Sequence, residues 1–293
     1  MKIRCLIIAI LITALNFVLS LCIETLWLKL LLNFCVIAIG MSLLYYWLVS
    51  PIREMKKQLK AVEEENRQLE AMRKEFVANV THELKTPLTS ITGFIETLQN
   101  GAAEDPEIRT KFIDIIAIEA ARLKRLIEDT LVLSEIERKV EILSEQIQVK
   151  AAIDSIITVI NPIAKENQVS LINEVPEDIY VRGNEDRFRQ MMVNLIENAI
   201  KYSNPKGRVW IKAKLDQEGK LRICVQDEGI GISEDNLERL FERFYRVDKS
   251  RSRKVGGTGL GLSIVKHIAA LFDAEVHVES KLGEGSTFYV KFK

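Results

Sequence analysis

The feature that most restricts the fold is an N-terminal run without a charged residue, which extends from Cys5 to Ile23. As a helix, this run is long enough to cross the ~30 Å hydrocarbon core of a bilayer. A second, predominantly apolar run extends from Leu26 to Leu48, and Glu24-Thr25 forms a minimal turn between the two. The sequence therefore predicts a transmembrane hairpin in residues 1–50, with spans at about 5–23 and 26–48.

Basic residues flank this predicted hairpin on both outer sides. Lys2 and Arg4 precede the first run, and Arg53, Lys56 and Lys57 follow the second. Because cytoplasmic flanks carry an excess of Lys and Arg, this distribution predicts that both termini are cytoplasmic and that the lipid bilayer is a partner. A cleaved signal peptide is the weaker alternative, since its apolar region is usually shorter and no A-x-A-like site follows. The predicted location is the inner (cytoplasmic) membrane.

The overall charge and the cysteines exclude other classes of partner. The chain has 41 basic and 41 acidic residues, so no net positive field favours direct binding of nucleic acid. Its cysteines, Cys5, Cys22, Cys35 and Cys224, show no C-x-x-C spacing. That pattern argues against a disulfide framework and against a zinc site.

Residues 51–75 change to a heptad pattern rich in Lys, Glu and Arg, with Asn66 at a seam position and a polar gap at Arg73. The apolar seam contains Ile52, Met55, Leu59, Val62, Leu69 and Phe76. Such a seam predicts a parallel coiled coil, in which a buried Asn fixes the register of two strands. Ser50-Pro51-Ile52 resembles the opening of a HAMP linker, but the segment is about half as long as that module requires. A bare coiled-coil linker is therefore predicted.

From Phe76 to about Gln99, apolar residues recur mostly three or four positions apart, which predicts an amphipathic helix. His82 lies about 200° around this helix from Leu84, so it projects away from the buried stripe. A solvent-facing imidazole is largely neutral near pH 7 and can act as a nucleophile. Glu83 can accept its proton, and Thr86 lies one turn further on the same face. Because position 86 is Thr rather than His, a zinc-protease motif is excluded.

A second helix is predicted to follow a short connection. Asn100-Gly101 provides a stop, and Asp105 and Pro106 provide the N-cap and the first turn. The apolar stripe from Ile108 to Leu133 is wider than a coiled-coil seam requires. Two such hairpins, one from each subunit, would bury their stripes as a four-helix bundle. Residues 76–140 are therefore predicted to form a homodimeric bundle.

The segment Phe76–Ile91 resembles the phosphoacceptor box of sensor histidine kinases, F-x-x-x-x-x-H-E-L-x-T-P-L-x-x-I. The resemblance implies that His82 accepts a phosphoryl group and that Glu83 assists its attack. It also implies that Thr86 helps to position water when the kinase dephosphorylates its partner protein.

Beyond about Ser144 the hydrophobic period becomes mixed, which predicts a separate α+β domain over residues 145–293. Alternating runs predict strands at Val169–Ile172, Arg208–Leu215, Leu221–Val225, Glu275–Val278 and Thr287–Phe292. Helical patterns cover about Ala151–Lys165, Glu185–Tyr202 and Leu260–Phe272. The chain as a whole is predicted to be a multidomain α+β protein.

One predicted helix of this domain presents a polar face suited to a metal-bound nucleotide. Asn194, Asn198 and Lys201 stand at i, i+4 and i+7. Amide oxygens are suitable ligands for Mg²⁺, which also takes phosphate oxygens and water, and a lysine supplies positive charge to phosphates.

Two glycine-containing turns add further candidate positions. Asp227 ends a strand before Gly229 and Gly231, where a carboxylate can accept a hydrogen bond from an exocyclic amine and glycine allows a ring to lie against the backbone. The run Gly256–Leu262 opens a helix whose N-terminus can meet phosphate, and its spacing differs from the Rossmann motif. Within that run, the candidate binding residues are Gly257, Gly259 and Gly261. Between the two turns, Phe241–Arg246 and the polar stretch after it have the composition of a mobile lid.

In this order the segments resemble the N, G1, F and G2 boxes of the Bergerat-type ATP-binding domain, and Gly283–Phe288 resembles its closing strand. The resemblance implies that Asn198 holds Mg²⁺ and that Asp227 recognises the adenine of ATP. It further implies that Lys201 and Tyr202 lie near the phosphates and that Arg246 reaches the γ-phosphate. The similarity to histidine kinases covers about Met72 to the C-terminus, with the phosphate-regulon type as the most similar variety.

Together these features predict a membrane-anchored, homodimeric sensor histidine kinase. It would phosphorylate His82 from ATP, pass the phosphoryl group to an Asp of a cytoplasmic response regulator, and also act as the phosphatase of that regulator. Because the loop between the spans is short, the stimulus is expected within the membrane or through a partner membrane protein. The alternatives are a Bergerat-type ATPase, which would release free phosphate, and a non-catalytic membrane scaffold.

Overall fold

The structure, a computed structural model, describes residues 10–15, 17–18, 26–137, 145–216, 219–247 and 257–293. The chain divides into two compact units between Glu75 and Phe76. The predicted domain ranges 1–50, 51–75, 76–140 and 145–293 remain predictions.

The first unit is dominated by a single long helix, α1, which extends from Leu26 to Gln99 and continues into the second unit. Within the part of the chain that the structure describes, this helix alone is long and apolar enough to cross a membrane. Residues 10–15 and 17–18 are also helical. They pack closely on α1 at one point, since a Cβ on Gly40 would lie 2.6 Å from Cδ1 of Ile12. The rest of the predicted first span, and the turn at Glu24-Thr25, lie outside the described residues.

The predicted coiled-coil seam lies on α1 with its apolar side chains exposed in the single chain. The exposed seam residues are Ile52, Met55, Leu59, Val62 and Leu69. A row of exposed apolar side chains at heptad spacing on a charged helix is what a second copy of the helix would cover. The coiled coil itself remains a prediction.

The second unit begins with an α-helical hairpin, in which α1 ends at Gln99 as predicted and α2 extends from Pro106 to Glu137. Gly101 makes the turn with φ +107°, a conformation that favours glycine. Asp105 caps α2, because its Oδ1 accepts hydrogen bonds from the backbone N–H groups of Glu107 at 2.8 Å and Ile108 at 3.2 Å. The predicted N-cap is therefore confirmed.

The rest of the second unit contains seven strands and four helices in the described residues. The strands are β1 Glu145–Gln148, β2 Ser170–Glu174, β3 Tyr180–Gly183, β4 Arg208–Leu215, β5 Leu221–Asp227, β6 Ala274–Lys281 and β7 Gly285–Phe292. The helices are α3 Val149–Glu166, α4 Glu185–Tyr202, the single turn α5 Glu234–Leu237, and α6 Gly261–Leu271. All eight predicted elements are present, with ends shifted by at most a few residues, and β1 and β3 were not predicted.

The strands form two sheets. The large sheet has the order β2-β4-β5-β7-β6, with β2 parallel to β4 and the other neighbours antiparallel. The small sheet pairs β1 with β3. On β4 buried and less buried residues alternate, so that one face of the large sheet meets α3, α4 and α6. The predicted α+β class is confirmed as a helical hairpin joined to an α/β sandwich.

The hydrophobic core of the sandwich continues into the hairpin. Leu126, Leu133 and Ile136 of α2 are buried in the same cluster as the residues of the sheet and its helices. The sandwich is therefore docked on α2, and polar groups from both parts meet at the edge of this apolar contact.

Candidate functional site

His82 is exposed on α1, as its position relative to the apolar stripe predicts. The hydroxyl of Thr86 donates a hydrogen bond to the backbone carbonyl of His82 at 3.1 Å, so the two residues are neighbours on one side of the helix. Pro87 follows within the same helix and, lacking an N–H, leaves the carbonyl of Glu83 without its usual helical donor. An exposed imidazole on a rigid helix is accessible to a bulky reactant.

Glu83, next to His82, is held by two arginines from different elements. Its Oε2 accepts hydrogen bonds from Nη2 of Arg122 on α2 at 3.0 Å and from Nη2 of Arg246 at 3.1 Å. The two arginine side chains are 10% and 9% exposed, so these charge-assisted bonds are largely shielded from water. Both bonds use Oε2, and among the described residues Oε1 accepts none. The contact joins the predicted proton acceptor directly to the α/β sandwich.

Arg246 thus lies against the acceptor helix, whereas the resemblance to histidine kinases implies that it reaches the γ-phosphate. Burial lowers the pKa of Arg246, Glu83 offsets part of this effect, and the positive charge of Arg122 adds to it. Nη1 of Arg122 also lies 3.8 Å from Oε2 of Glu119, so the two guanidinium groups face two carboxylates. A phosphoryl group would therefore compete with Glu83 for the guanidinium group of Arg246.

The segment Phe241–Arg246 approaches the acceptor helix through the side chains of Phe244 and Arg243. The ring centroids of Phe244 and Phe76 are 6.0 Å apart, and Cζ of Arg243 lies 5.1 Å from the centroid of Phe76. Phe244 has φ +63°, which is unfavourable for a bulky side chain, and its N–H donates to the carbonyl of Gly259 at 2.8 Å. This strained backbone is therefore held between the acceptor helix and the glycine-rich loop.

The polar face of α4 lies beside the glycine-rich loop. Nδ2 of Asn194 donates to the carbonyl one turn earlier at 3.0 Å, and its Oδ1 would lie 3.0 Å from a Cβ on Gly261. Nζ of Lys201 would lie 2.7 Å from a Cβ on Gly257. Asn198 is half-buried, and its amide makes no hydrogen bond within the described ranges. The structure therefore brings four of the predicted residues together as two contacting pairs, and it leaves the amide of Asn198 available.

Lys201 has an unusually low proton affinity for a lysine. Burial lowers the pKa of Lys201 to about 8, with contributions from the positive charges of Arg125 and Arg246. Its ammonium group also lies 5.4 Å from the ring centroid of Tyr202. A buried ammonium group near two guanidinium groups is stabilised by an anion, and this arrangement is typical of phosphate sites.

Asp227 is buried, with 5% of its surface exposed. Its Oδ1 accepts hydrogen bonds from the N–H groups of Gly229 at 2.9 Å and Ser286 at 3.2 Å. Burial raises the pKa of Asp227 to about 6, and both backbone bonds oppose the rise. Among the described residues Oδ2 accepts no hydrogen bond, so it remains available for a donor such as an exocyclic amine.

The glycines of both turns allow close approach of the backbone. A Cβ on Gly229 would lie 2.2 Å from the carbonyl oxygen of Tyr202, and Gly231 has φ +66° with no room for a Cβ beside Lys281. Gly259 has φ +76° and contacts Phe244 in the same way. Gly256 and most of the predicted lid lie outside the described residues.

Three charged residues of α2 that the sequence analysis did not select also reach the site. Nη1 of Arg125 lies 4.0 Å from Oε2 of Glu197, and Oδ2 of Asp129 accepts a hydrogen bond from Oγ1 of Thr258 at 2.6 Å. Together with Arg122, these residues stand at i, i+3 and i+7 on one side of α2. Their spacing places these charged residues in one stripe along α2, beside its apolar stripe, and this pattern in the sequence could have identified them.

Metal binding at this site would depend on amide and phosphate oxygens. In the part of the chain that the structure describes, no group of three or more His, Cys, Asp or Glu residues could hold a metal ion. Mg²⁺ commonly binds one or two protein groups together with phosphate oxygens and water. The available amide of Asn198, beside the cationic Lys201, fits a metal of this kind.

Two family models match the chain. The model for the His Kinase A (phospho-acceptor) domain matches residues 72–139, and the model for the histidine kinase-, DNA gyrase B-, and HSP90-like ATPase matches residues 183–293. Together they cover more than half of the chain.

Several known histidine kinases are similar to this chain in sequence or in structure. The sensor histidine kinase WalK of Bacillus subtilis is 40% identical over 226 residues, which cover 76% of this chain and 37% of that protein. This chain thus spans well under half the length of that curated relative. The histidine kinase ThkA, solved with the response regulator protein TrrA, has a TM-score of 0.61 at 25% identity, covering 77% of this chain and 63% of ThkA. ShkA, solved with AMPPNP, has a TM-score of 0.54 at 26% identity, covering 74% and 45% of the two chains.

The two family models and the identity to WalK agree with one another. The chain belongs to the sensor histidine kinases of two-component systems.

Proposed function

We propose that this chain is a membrane-anchored, homodimeric protein-histidine kinase that phosphorylates His82 from ATP and passes the phosphoryl group to an Asp of a response regulator. The observation that carries the proposal is the contact of Glu83 with Arg246 at 3.1 Å. It joins the residue beside the accessible imidazole to the segment that borders the nucleotide site. Acceptor and donor sites thus lie within one compact unit.

In the proposed reaction an imidazole nitrogen of His82 attacks the γ-phosphorus of ATP. The bond between that phosphorus and the oxygen bridging the β- and γ-phosphates breaks, and ADP leaves. Glu83 takes the proton from the other ring nitrogen, for which its Oε1 is available. Lys201 and Arg246 stabilise negative charge on the phosphates, which is the main catalytic contribution in phosphoryl transfer.

The nucleotide would be held by residues already placed around the site. Oδ2 of Asp227 accepts a hydrogen bond from the adenine amine, and the loop Gly257–Gly261 presents backbone N–H groups and a helix N-terminus to the phosphates. Asn198 supplies an amide oxygen to Mg²⁺, which neutralises phosphate charge when bound. The complex of the related ShkA with AMPPNP supports a nucleoside triphosphate as the ligand.

The proposed partners follow from exposed surfaces and from the relatives. Leu88, Ile113, Ile118 and Leu131 of the helical hairpin are exposed apolar residues, and a second copy would bury such residues in a four-helix bundle. The complex of ThkA with TrrA supports a response regulator as the acceptor protein. Thr86, fixed beside His82, would orient water for dephosphorylation of that regulator.

The proposed location is the inner membrane, with two spans and both termini cytoplasmic. It is supported by the apolar first half of α1, by the contact of Ile12 with Gly40, and by the basic residues outside both spans. The short predicted loop favours a stimulus sensed within the bilayer or through a membrane protein packed against the spans.

Incubation of the purified chain with γ-labelled ATP and Mg²⁺ tests the proposal. The expected product is acid-labile, base-stable label on the protein, which His82→Gln abolishes while nucleotide binding persists. The matched control is His277→Gln, since His277 is an exposed histidine on β6 and should be dispensable for labelling. Free phosphate without labelled protein would favour a Bergerat-type ATPase, and neither product would favour a scaffold.

A further inference from the structure

The contact between Asp129 and Thr258 places a carboxylate of the acceptor hairpin against the glycine-rich loop. Oγ1 of Thr258 donates to Oδ2 of Asp129 at 2.6 Å and accepts from the N–H of Leu260 at 3.2 Å. Thr258 is 6% exposed, so this hydrogen bond is shielded from water. The negative charge of Asp129 therefore lies next to the loop that opens α6.

The position is unusual because the same loop end favours anions. Backbone N–H groups and the helix dipole at the N-terminus of α6 attract negative charge, and Lys201 lies against Gly257 in the same loop. In the docked arrangement, the Asp129 carboxylate already places one negative charge next to this loop. A phosphate group bound at the loop would therefore be repelled by the Asp129 carboxylate.

We propose that Asp129 is a specificity-determining residue that makes the docked kinase discriminate against ATP in favour of ADP. The inference rests on the proposed function, because it takes the glycine-rich loop as the phosphate-binding element. ATP carries one more negative charge than ADP, so repulsion by the Asp129 carboxylate weakens ATP binding more than ADP binding. Undocking separates Asp129 from the loop and removes this difference.

Reciprocity gives the proposal a consequence for the conformational cycle. If docking weakens ATP binding by a given factor, ATP weakens docking by the same factor. ATP would thus release the sandwich from α2, and ADP would allow it to return. The kinase would leave the docked state when its substrate is present and re-enter it after transfer.

The direct test is the Asp129→Asn variant of the full chain in detergent micelles. Asn keeps a side-chain oxygen that accepts the hydrogen bond from Thr258 and removes only the charge. Dissociation constants for AMPPNP and ADP, each with Mg²⁺, are measured by calorimetry. We expect the ratio of AMPPNP affinity to ADP affinity to rise about fivefold or more, from the loss of one nearby charge in a partly buried site.

Two further variants separate the charge from the hydrogen bond and from general electrostatics. Asp129→Ala removes both the charge and the acceptor and should raise the affinity ratio at least as much. Glu128→Gln removes a neighbouring exposed carboxylate, paired with Lys124 at 3.9 Å, and should leave the ratio unchanged. An unchanged ratio in Asp129→Asn, a change in Asp129→Ala alone, or an equal change in Glu128→Gln would each overturn the proposal. If the wild-type chain binds neither nucleotide, the proposed function fails, and this inference fails with it.

Discussion

Replacing Asp227 by Asn should stabilise the α/β sandwich at neutral pH while it abolishes nucleotide recognition. Asn keeps the acceptor oxygen for the N–H groups of Gly229 and Ser286, so the backbone geometry of the turn is preserved. It removes the carboxylate whose burial is unfavourable. The same side chain is therefore expected to limit stability and to provide specificity.

The magnitude follows from the pKa of Asp227, which rises from 3.8 to about 6 in the folded protein. The folded state thus binds the proton more tightly than the unfolded chain, so the charged form carries a penalty. That penalty is complete above about pH 6, declines as the pH falls towards 4, and is absent below 3.8. At 1.36 kcal/mol per unit, the penalty at pH 7.5 is about 3 kcal/mol, which corresponds to about 6–12 °C in the unfolding temperature of a domain of this size.

Thermal unfolding of the full chain, followed at several pH values between 4 and 8, measures this effect. The difference between Asp227→Asn and the wild type should be largest above pH 6.5 and should vanish near pH 4. Asp235→Asn, at an exposed carboxylate of the same domain, is the matched control and should give no such trend. A difference that is independent of pH, or a variant less stable at every pH, would refute the argument. Added ATP should raise the unfolding temperature of the wild type but not that of Asp227→Asn.

Three further changes test other residues. Asn198→Ala should reduce Mg²⁺-dependent autophosphorylation about 10- to 100-fold, and a normal rate of labelling would contradict a role in metal binding. Thr86→Ala should leave autophosphorylation within about twofold and slow dephosphorylation of the regulator about tenfold, whereas an equal loss of both would indicate damage to the helix. Insertion of one residue after Leu59 rotates the downstream helix by about 100° and should lock or invert the response to the stimulus. Insertion of seven residues should be tolerated, and equal outputs for both lengths would contradict coupling through the coiled coil.

Local sequence patterns predicted most of the secondary structure. The end of α1 at Gln99, the cap at Asp105 and both ends of α4 follow from periodicity and capping chemistry, which act within a few residues. The strands β1 and β3 were missed because they are short, and their pairing joins Glu145 to Gly183. Such pairing is stabilised by distant backbone partners and leaves little local pattern.

The contacts that join the acceptor hairpin to the nucleotide site could not be predicted in this way. Thr258 and Asp129 are 129 positions apart, and Arg246 and Glu83 are 163 apart. The resemblance to histidine kinases implies roles in phosphoryl transfer for Arg246 and Glu83, but no periodicity relates residues so distant. Only the three-dimensional structure reveals the docking, because it shows that apolar residues of α2 are part of the hydrophobic core of the sandwich.

Under the proposed function, docking and phosphoryl transfer would compete for the guanidinium group of Arg246. Arg246 can neutralise Glu83 or a γ-phosphate, but one guanidinium group cannot make its full set of bonds to both. In the proposed reaction, phosphorylation of His82 would require the hydrogen bond between Arg246 and Glu83 to break. Docking would thus hold Arg246 on Glu83 until a triphosphate offers the guanidinium group a competing anion.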